Sequence, residues 1–299
     1  MSGLPSQARV VIIGGGVVGV SCAYHLAKAG WTDCVLLEKN ELTAGSTWHA
    51  AGNVPTFSTS WSIMNMQRYS TELYSHLGKD VDYPMNYHVT GAIRLAHSRQ
   101  RMEEFRHVQS MGRHMGIEFE EMSNSDMQAM YPFLETHDLY GGQWDPLDGD
   151  IDPAQLTQAL AKGARDMGAK IVRFCPVTGV EHLGDEWKIS TPNGEIRAEY
   201  VVNAAGYRAS ELGAMFGRDV PCVSLAHQYL ITEPIPELTA RDKKLPLIRD
   251  PDSSYYLRVV KLQSQHEIAL RKVLSLSPNP CDNASVSYTH LTLPTNREV

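Results

Sequence analysis

RVVIIGGGVVG, residues 9–19, decides the fold. Arg9 to Ile13 is an unbroken run dominated by β-branched residues, the pattern of a strand buried on both faces. It leads directly into Gly14, Gly16 and Gly19, spaced as G-x-G-x-x-G. Val17, Val20, Tyr24 and Ala27 then fall on one face of a helix that reaches Lys28, where Gly30 stops it. A second strand, Cys34 to Leu37, ends at Glu38. Each part suits a dinucleotide. Gly14 permits the tight turn, Gly16 lets the backbone approach a pyrophosphate, and Gly19 lets helix and strand pack closely. The helix N-terminus offers N–H groups and a partial positive charge to phosphates. Glu38 stands 38 − 19 = 19 residues beyond Gly19, where an acid accepts hydrogen bonds from ribose hydroxyls. A bare glycine pattern is also what a flexible loop shows; the full order of strand, glycines, helix, strand and acid makes it a dinucleotide fingerprint. The acid favours an unphosphorylated ribose, hence FAD or NAD over NADP.

Composition narrows the class. The chain has 299 residues, 42% hydrophobic and 20% charged, as expected of a globular protein with a sizeable core. Its net charge of −7, without basic runs, argues against nucleic acid as a partner. No apolar run approaches the roughly 20 residues of a membrane span. The N-terminus, MSGLPSQAR, carries no apolar or Arg-rich targeting pattern. Five scattered cysteines without a Cys-x-x-Cys pair favour reduced thiols, and with the preceding observation a cytoplasmic location.

The segment ELTAGSTWHAAG, residues 41–52, surrounds one Trp and one His with small residues. Taken alone, a loop histidine is more often structural or solvated than functional. After the second strand of an FAD-binding fold, however, this segment passes along the cofactor, where a neutral imidazole is placed to attack a methyl group of the flavin. GSTWHAAG, residues 45–52, resembles the covalent flavin-attachment loop of the dimethylglycine dehydrogenase, dimethylglycine oxidase and sarcosine dehydrogenase family. GAIRLA (91–96), VVNAAG (201–206), LAHQYLIT (225–232) and LPLIRDPDSSYYLR (245–258) continue the resemblance, which covers roughly residues 9 to 258. It implies FAD bonded at its 8α-methyl to His49. It places cofactor contacts at Gly14, Gly16, Gly19, Glu38, Lys39, Gly45, Ser46, Thr47, His49, Gly52, Val177 and Gly206. It implies a small N-methylated amine as substrate, with oxygen or an electron-transfer flavoprotein as electron acceptor. The implied fold is α/β, a Rossmann-like FAD-binding domain interleaved with an α+β substrate domain. Cofactor segments are expected at 1–85 and 144–217, and substrate-domain segments at 86–143 and 218–258.

The middle of the chain reads compatibly. Helices are predicted over 58–77 and 99–115, and a half-buried alternating strand over 90–96. Asp152 and Pro153 form an N-cap and first residue for a helix ending at Gly168. A strand at 170–174 follows. Strands at 177–183, 186–191 and 195–199 form a meander with an Asn193-Gly194 turn, and a separate buried strand over 200–204 returns to the cofactor. Gly206 allows close backbone approach there, or is a simple turn glycine.

Oxidising an N-methyl amine requires a neutral nitrogen, so a proton acceptor and an aromatic wall are wanted. The resemblance matches His227 and Tyr255 to these roles, with Tyr256 as the competing register; from the residues alone, a core histidine and strand tyrosines are equally good readings. Tyr229 and Arg258 are weaker candidates for the pocket. The methionines read as packing and the acids at 118, 120 and 121 as a solvated run. His107, His114 and His137 lack metal-ligand spacing. After Arg258 the family pattern is expected to stop, making residues 259–299 an off-pattern tail. SVSYTHLTLPTNREV, residues 285–299, resembles translated sequencing-adaptor sequence, a natural lineage-specific tail being the alternative. The missing last flavin segment predicts an incomplete sheet that folds poorly. The function read here is FAD-dependent oxidative demethylation of an N-methyl amine. The alternatives are a non-catalytic flavin-binding regulatory protein of the same fold and a glycine-oxidase-like amino-acid oxidase.

Overall fold

The computed structural model describes residues 3–225, 228–261 and 268–274. In chain order the elements begin β1 (Gln7–Ile13), α1 (Val17–Lys28), β2 (Cys34–Leu37), α2 (Ser46–His49), β3 (Asn53–Val54), α3 (Trp61–Asp80), β4 (Tyr87–His88) and β5 (Ala92–Ala96). They continue α4 (Arg99–His114), β6 (Glu120–Met122), α5 (Asn124–Met130), β7 (Gly141–Asp145), β8 (Gly149–Ile151), α6 (Pro153–Asp166), β9 (Lys170–Val172), β10 (Gly179–His182), β11 (Trp187–Thr191) and β12 (Gly194–Asn203). Last come α7 (Ala209–Met215), β13 (Gln228–Ile231), α8 (Pro236–Thr239), β14 (Leu247–Asp250), β15 (Tyr255–Lys261) and β16 (Ile268–Leu274).

Two compact units result. Unit 1 comprises Met1–Gly52, Glu72–Tyr87 and Ile151–Leu225; unit 2 comprises Asn53–Thr71, His88–Asp150 and the described residues from 228 onward. The segments at 53–71 and 144–150 thus belong with unit 2 rather than with the cofactor segments expected from sequence. Residues 141–145 pair with β5, and Met64 packs with Val108, Ile117 and Phe119. The sequence shows no break at residue 71 because α3 runs on without interruption.

Unit 1 is built on a six-stranded sheet ordered β10-β11-β12-β1-β2-β9, with β12, β1, β2 and β9 parallel. The run from Arg9 to Ile13 is its centre: Val10, Val11 and Ile12 are fully buried. Helix α1 buries Gly19, Val20, Ala23, Tyr24 and Ala27. It packs against α6 at Gly163, where a Cβ would come within 2.7 Å of the Tyr24 ring. Asp152 caps α6, accepting the N–H groups of Ala154 and Gln155 at 2.8 and 3.0 Å. Two expected strands, 195–199 and 200–204, are one: β12 is antiparallel to β11 over its first residues and parallel to β1 from Arg197 to Asn203. Nor is its second half buried. Tyr200 is 52% exposed, its ring tilted 6.0 Å from that of Trp31, over which Arg9 lies at 3.8 Å.

Unit 2 holds a seven-stranded sheet ordered β13-β16-β15-β14-β5-β7-β6, in which β14 and β5 are the parallel pair. Side chains alternate between its faces. One face carries Ile93, Leu95, Ile248 and Val259 into a core with Met127, Tyr131 and Leu134. The other is polar and carries Arg94, Gln143, Asp145, Arg249, Tyr256 and Arg258, as the register pairs Arg94 with Gln143 and Arg249, and Arg249 with Tyr256. Strand β5 is therefore buried on both faces, not half-buried as its alternation suggested.

The expected end of the pattern at Arg258 is also corrected. Strand β15 runs to Lys261 and pairs with β16 from Tyr255–Leu274 to Lys261–Ile268, and β16 pairs with β13. Residues 275–299, including the adaptor-like stretch, lie outside the described residues.

Candidate functional site

In unit 1 the glycines do what their spacing requires. Gly14 has φ of 124°, and a Cβ there would lie 2.2 Å from the Ala204 carbonyl oxygen, so β1 and the end of β12 meet at a point only glycine fits. A Cβ on Gly19 would sit 2.0 Å from the Gly14 carbonyl. Gly16 is the N-cap of α1 and supplies no side-chain cap. Glu38, at the end of β2, accepts the Gly15 N–H at 2.6 Å and the Asn40 N–H at 2.8 Å. This fixes its carboxylate beside the glycine turn while leaving lone pairs for a ribose.

The segment after β2 folds back onto that turn. Thr43 N–H donates to the Gly15 carbonyl at 3.0 Å, and the Thr47 hydroxyl accepts the Val17 N–H at 3.0 Å. Helix α2 begins at Ser46, with Gly45 as N-cap, and ends at His49, which is exposed with its Nδ1 3.2 Å from the Gly45 carbonyl. Lys39 and Ser46 are exposed as well. Gly52, with φ of 74°, receives the Ile151 N–H on its carbonyl at 2.8 Å.

Three of the predicted contacts have distinct surroundings within the protein. Thr47 is 8% exposed, and its hydroxyl accepts the Val17 N–H while keeping its own O–H to donate. Val177 packs into the core beneath β1 and β11 with Ile189 and Ala198. Gly206 has φ of 60° and nothing within 4 Å of a would-be Cβ, so its glycine serves the conformation rather than a close approach within the protein.

The unit 2 site candidates separate. His227 lies outside the described residues. Tyr255 points to the core face, where burial first, and then Asp250, which its hydroxyl bonds, push its ionisation well above the usual phenol range. Asp250 is itself buried and held by His97 Nε2 at 2.9 Å and the Ser253 N–H at 2.9 Å. The tyrosine on the polar face is Tyr256, opposite Arg249. The register places these two neighbours on opposite faces of the sheet.

That polar face rests on a charge network absent from the sequence reading. Asp145 at the end of β7, Asp148 in the turn that follows and Asp150 in β8 are essentially inaccessible. Asp148 bridges Arg94 and Arg249, each at 3.3 Å. Asp150 takes Lys244 at 2.5 Å and Arg258 at 3.2 Å. Asp145 accepts the Thr56 hydroxyl at 2.8 Å. Burial, then the neighbouring Asp148, raise Asp145 to about 6; burial, then Arg249, lower Arg94 to about 10, leaving it a cation stacked 4.2 Å over Phe57. Two signals were readable: a lone arginine inside the apolar AIRLA, and three acids within six residues in DPLDGD. Among the described residues no group of three or more His, Cys, Asp or Glu is placed to hold a metal, and no helix is long and apolar enough to cross a membrane.

The glycine turn, its helix and the ribose-directed acid fit an FAD-holding site. Comparison with known proteins decides its family: residues 9–266 match the DAO model, FAD-dependent oxidoreductases. The chain belongs to the FAD-dependent oxidoreductase family. It is 43% identical to dimethylglycine dehydrogenase, mitochondrial, of Rattus norvegicus over 253 residues, which is 84% of this chain and 30% of that protein. It is 36% identical to sarcosine dehydrogenase, mitochondrial, of Homo sapiens over 270 residues, 86% of this chain and 28% of that protein. The chain thus spans about 30% of the length of these relatives. The match through residue 266 agrees with β15 continuing past Arg258. Among solved structures, L-proline dehydrogenase from P. horikoshii superimposes with a TM-score of 0.77 at 24% identity, over 92% of this chain and 73% of that one, which establishes the shared fold. The chain is α/β, with the glycine fingerprint in unit 1 and a charged sheet face in unit 2.

Proposed function

We propose that the chain is the flavin-holding part of an oxidoreductase that oxidatively demethylates an N-methyl amine such as dimethylglycine or sarcosine, with FAD bonded to His49. The observation that carries this reading is the 43% identity to a dimethylglycine dehydrogenase, extending through both units. Gly14, Gly16, the α1 N-terminus and Glu38 would hold the pyrophosphate and ribose. His49, whose Nδ1 lies 3.2 Å from the Gly45 carbonyl, is assigned the ring that bonds the flavin. When bound, FAD supplies the two-electron acceptor for the C–H bond next to nitrogen.

The protein's remaining tasks are to bind a small zwitterion and to take its ammonium proton, because hydride leaves only from the neutral amine. His227 is assigned the proton. Tyr256 replaces Tyr255 as the aromatic and hydroxyl contact, since it shares the polar face with Arg249 and Arg258. Those cations suit the substrate carboxylate. The oxidised N-methyl group is released by water as formaldehyde. Oxygen or an electron-transfer flavoprotein is assigned as the final acceptor.

The test is anaerobic mixing of the flavin-loaded protein with dimethylglycine, sarcosine and glycine, following flavin absorbance. Bleaching by the methylated amines and not by glycine is expected. Faster bleaching by glycine would move the protein to the amino-acid oxidases, and no bleaching by any of them would make it a non-catalytic flavin binder.

A further inference from the structure

Helix α1 carries the glycine fingerprint, yet Gly16 gives it no side-chain cap. The cap comes from thirty residues downstream, through the Thr47 hydroxyl on the Val17 N–H. A Cβ on Gly16 would lie 3.1 Å from that hydroxyl oxygen, so the two segments close on each other. Two more bonds join them: Gly15 N–H to Glu38, and Thr43 N–H to the Gly15 carbonyl. Thr43 holds φ of 72° although it is β-branched and buried. Such a conformation persists only where the surroundings over-determine it. The Thr43 carbonyl then accepts the Trp48 N–H at 3.1 Å, one residue before His49.

Helix α2 has four residues, and Thr47 is the buried one. A single helical turn does not hold itself in water, so its orientation is imposed by tertiary contacts. We infer that Thr47 is a positioning residue: by capping α1 from the attachment loop, it locks the turn bearing His49 to the glycine loop and governs covalent capture of flavin more than flavin binding itself. The inference rests on the covalent role proposed for His49. The phosphate and ribose contacts belong to the glycine turn and Glu38, so they outlast loss of the Thr47 hydroxyl. Bond formation does not, because a misplacement of about 1 Å at a reacting group costs roughly a hundredfold in rate. In that attachment a His49 ring nitrogen bonds to the flavin methyl carbon. The ring and the methyl group each lose one hydrogen, and the two protons and two electrons pass to dioxygen as hydrogen peroxide.

The experiment compares the wild-type chain with Thr47→Val, which keeps the shape and loses the hydroxyl, and Thr47→Ser, which restores it. Total flavin, flavin retained after acid precipitation, and amide hydrogen exchange in flavin-free protein are measured. The Val variant is expected to hold total flavin within about twofold while its acid-stable fraction falls tenfold or more, with Ser recovering most of it. Exchange should quicken at Val17 and Trp48 together. An unchanged acid-stable fraction in Thr47→Val would overturn the inference. So would faster exchange at Val17 without any change at Trp48, since the cap would then not reach α2. Equal loss of total and acid-stable flavin in Thr47→Val would make Thr47 a cofactor contact instead. If wild-type flavin is wholly acid-labile, the His49 reading fails by itself, and the exchange at Trp48 alone decides whether Thr47 couples the two segments.

Discussion

The two candidate regions are held together by opposite means. In unit 1, glycine, backbone amides and single carboxylate or hydroxyl caps set the geometry, and close approach of main chain excludes side chains at Gly14 and Gly19. In unit 2, buried ions set it: Asp148 between two arginines, and Asp150 between Lys244 and Arg258. The first region is sensitive to volume and the second to charge. Removing one member of a buried charge set strands its partners, whereas a glycine turn has no charge to strand.

Asp148→Asn should therefore be the most damaging single change, because it leaves Arg94 buried beside Arg249 without their shared anion. A loss of about 4 kcal/mol is expected in chemical denaturation; a loss under about 1 kcal/mol would mean that the network behaves as a surface pair. Gly19→Ala should cost about 3 kcal/mol through the forced shift of α1 away from the Gly14 carbonyl, and should also weaken flavin retention. Retention unchanged in that variant would contradict the close-packed reading of the fingerprint.

The same contrast explains what could be read in advance. The limits of α1 and β2 coincide with those read from the chain, because the glycines and the apolar runs are local instructions. The Asp152 cap and its proline are local too. The polar sheet face is not local. Arg94 meets Asp148 across 54 residues and Arg249 meets it across 101. Tyr255 and Tyr256 differ only in strand register, which depends on β14. That the Thr47 hydroxyl caps α1 was not legible, because its partner, Val17, lies thirty residues earlier in the chain. The length of β12 was missed because its partner changes from β11 to β1 partway along, with no change in the strand itself.

Asp145 sharpens the comparison through pH. Its folded value, raised to about 6 by burial and by Asp148, lies above the usual carboxylate value of 3.8. Ionising it therefore costs stability: the protonated acid's contribution is fully present below about pH 4 and is lost as pH rises through about 6. Stability of the wild type relative to Asp145→Asn should fall by about 3 kcal/mol across that interval. A flat difference would place Asp145 in a more solvated setting. The smallest expected effect is Tyr255→Phe, which deletes a hydroxyl bonded to Asp250. It should cost about 1 kcal/mol of stability and leave flavin bleaching by dimethylglycine intact, whereas Tyr256→Phe should slow bleaching with little effect on stability. The reverse pattern would restore Tyr255 as the substrate contact.

The central claim is that unit 1 holds FAD by its glycine turn and anchors it through His49. Acid precipitation of the flavin-loaded protein, followed by flavin fluorescence of the washed pellet, tests it most directly. Fluorescence is expected in the wild-type pellet and not in that of His49→Ala, with flavin still bound to His49→Ala before acid. Fluorescence of equal strength in both pellets, or in neither, would contradict it.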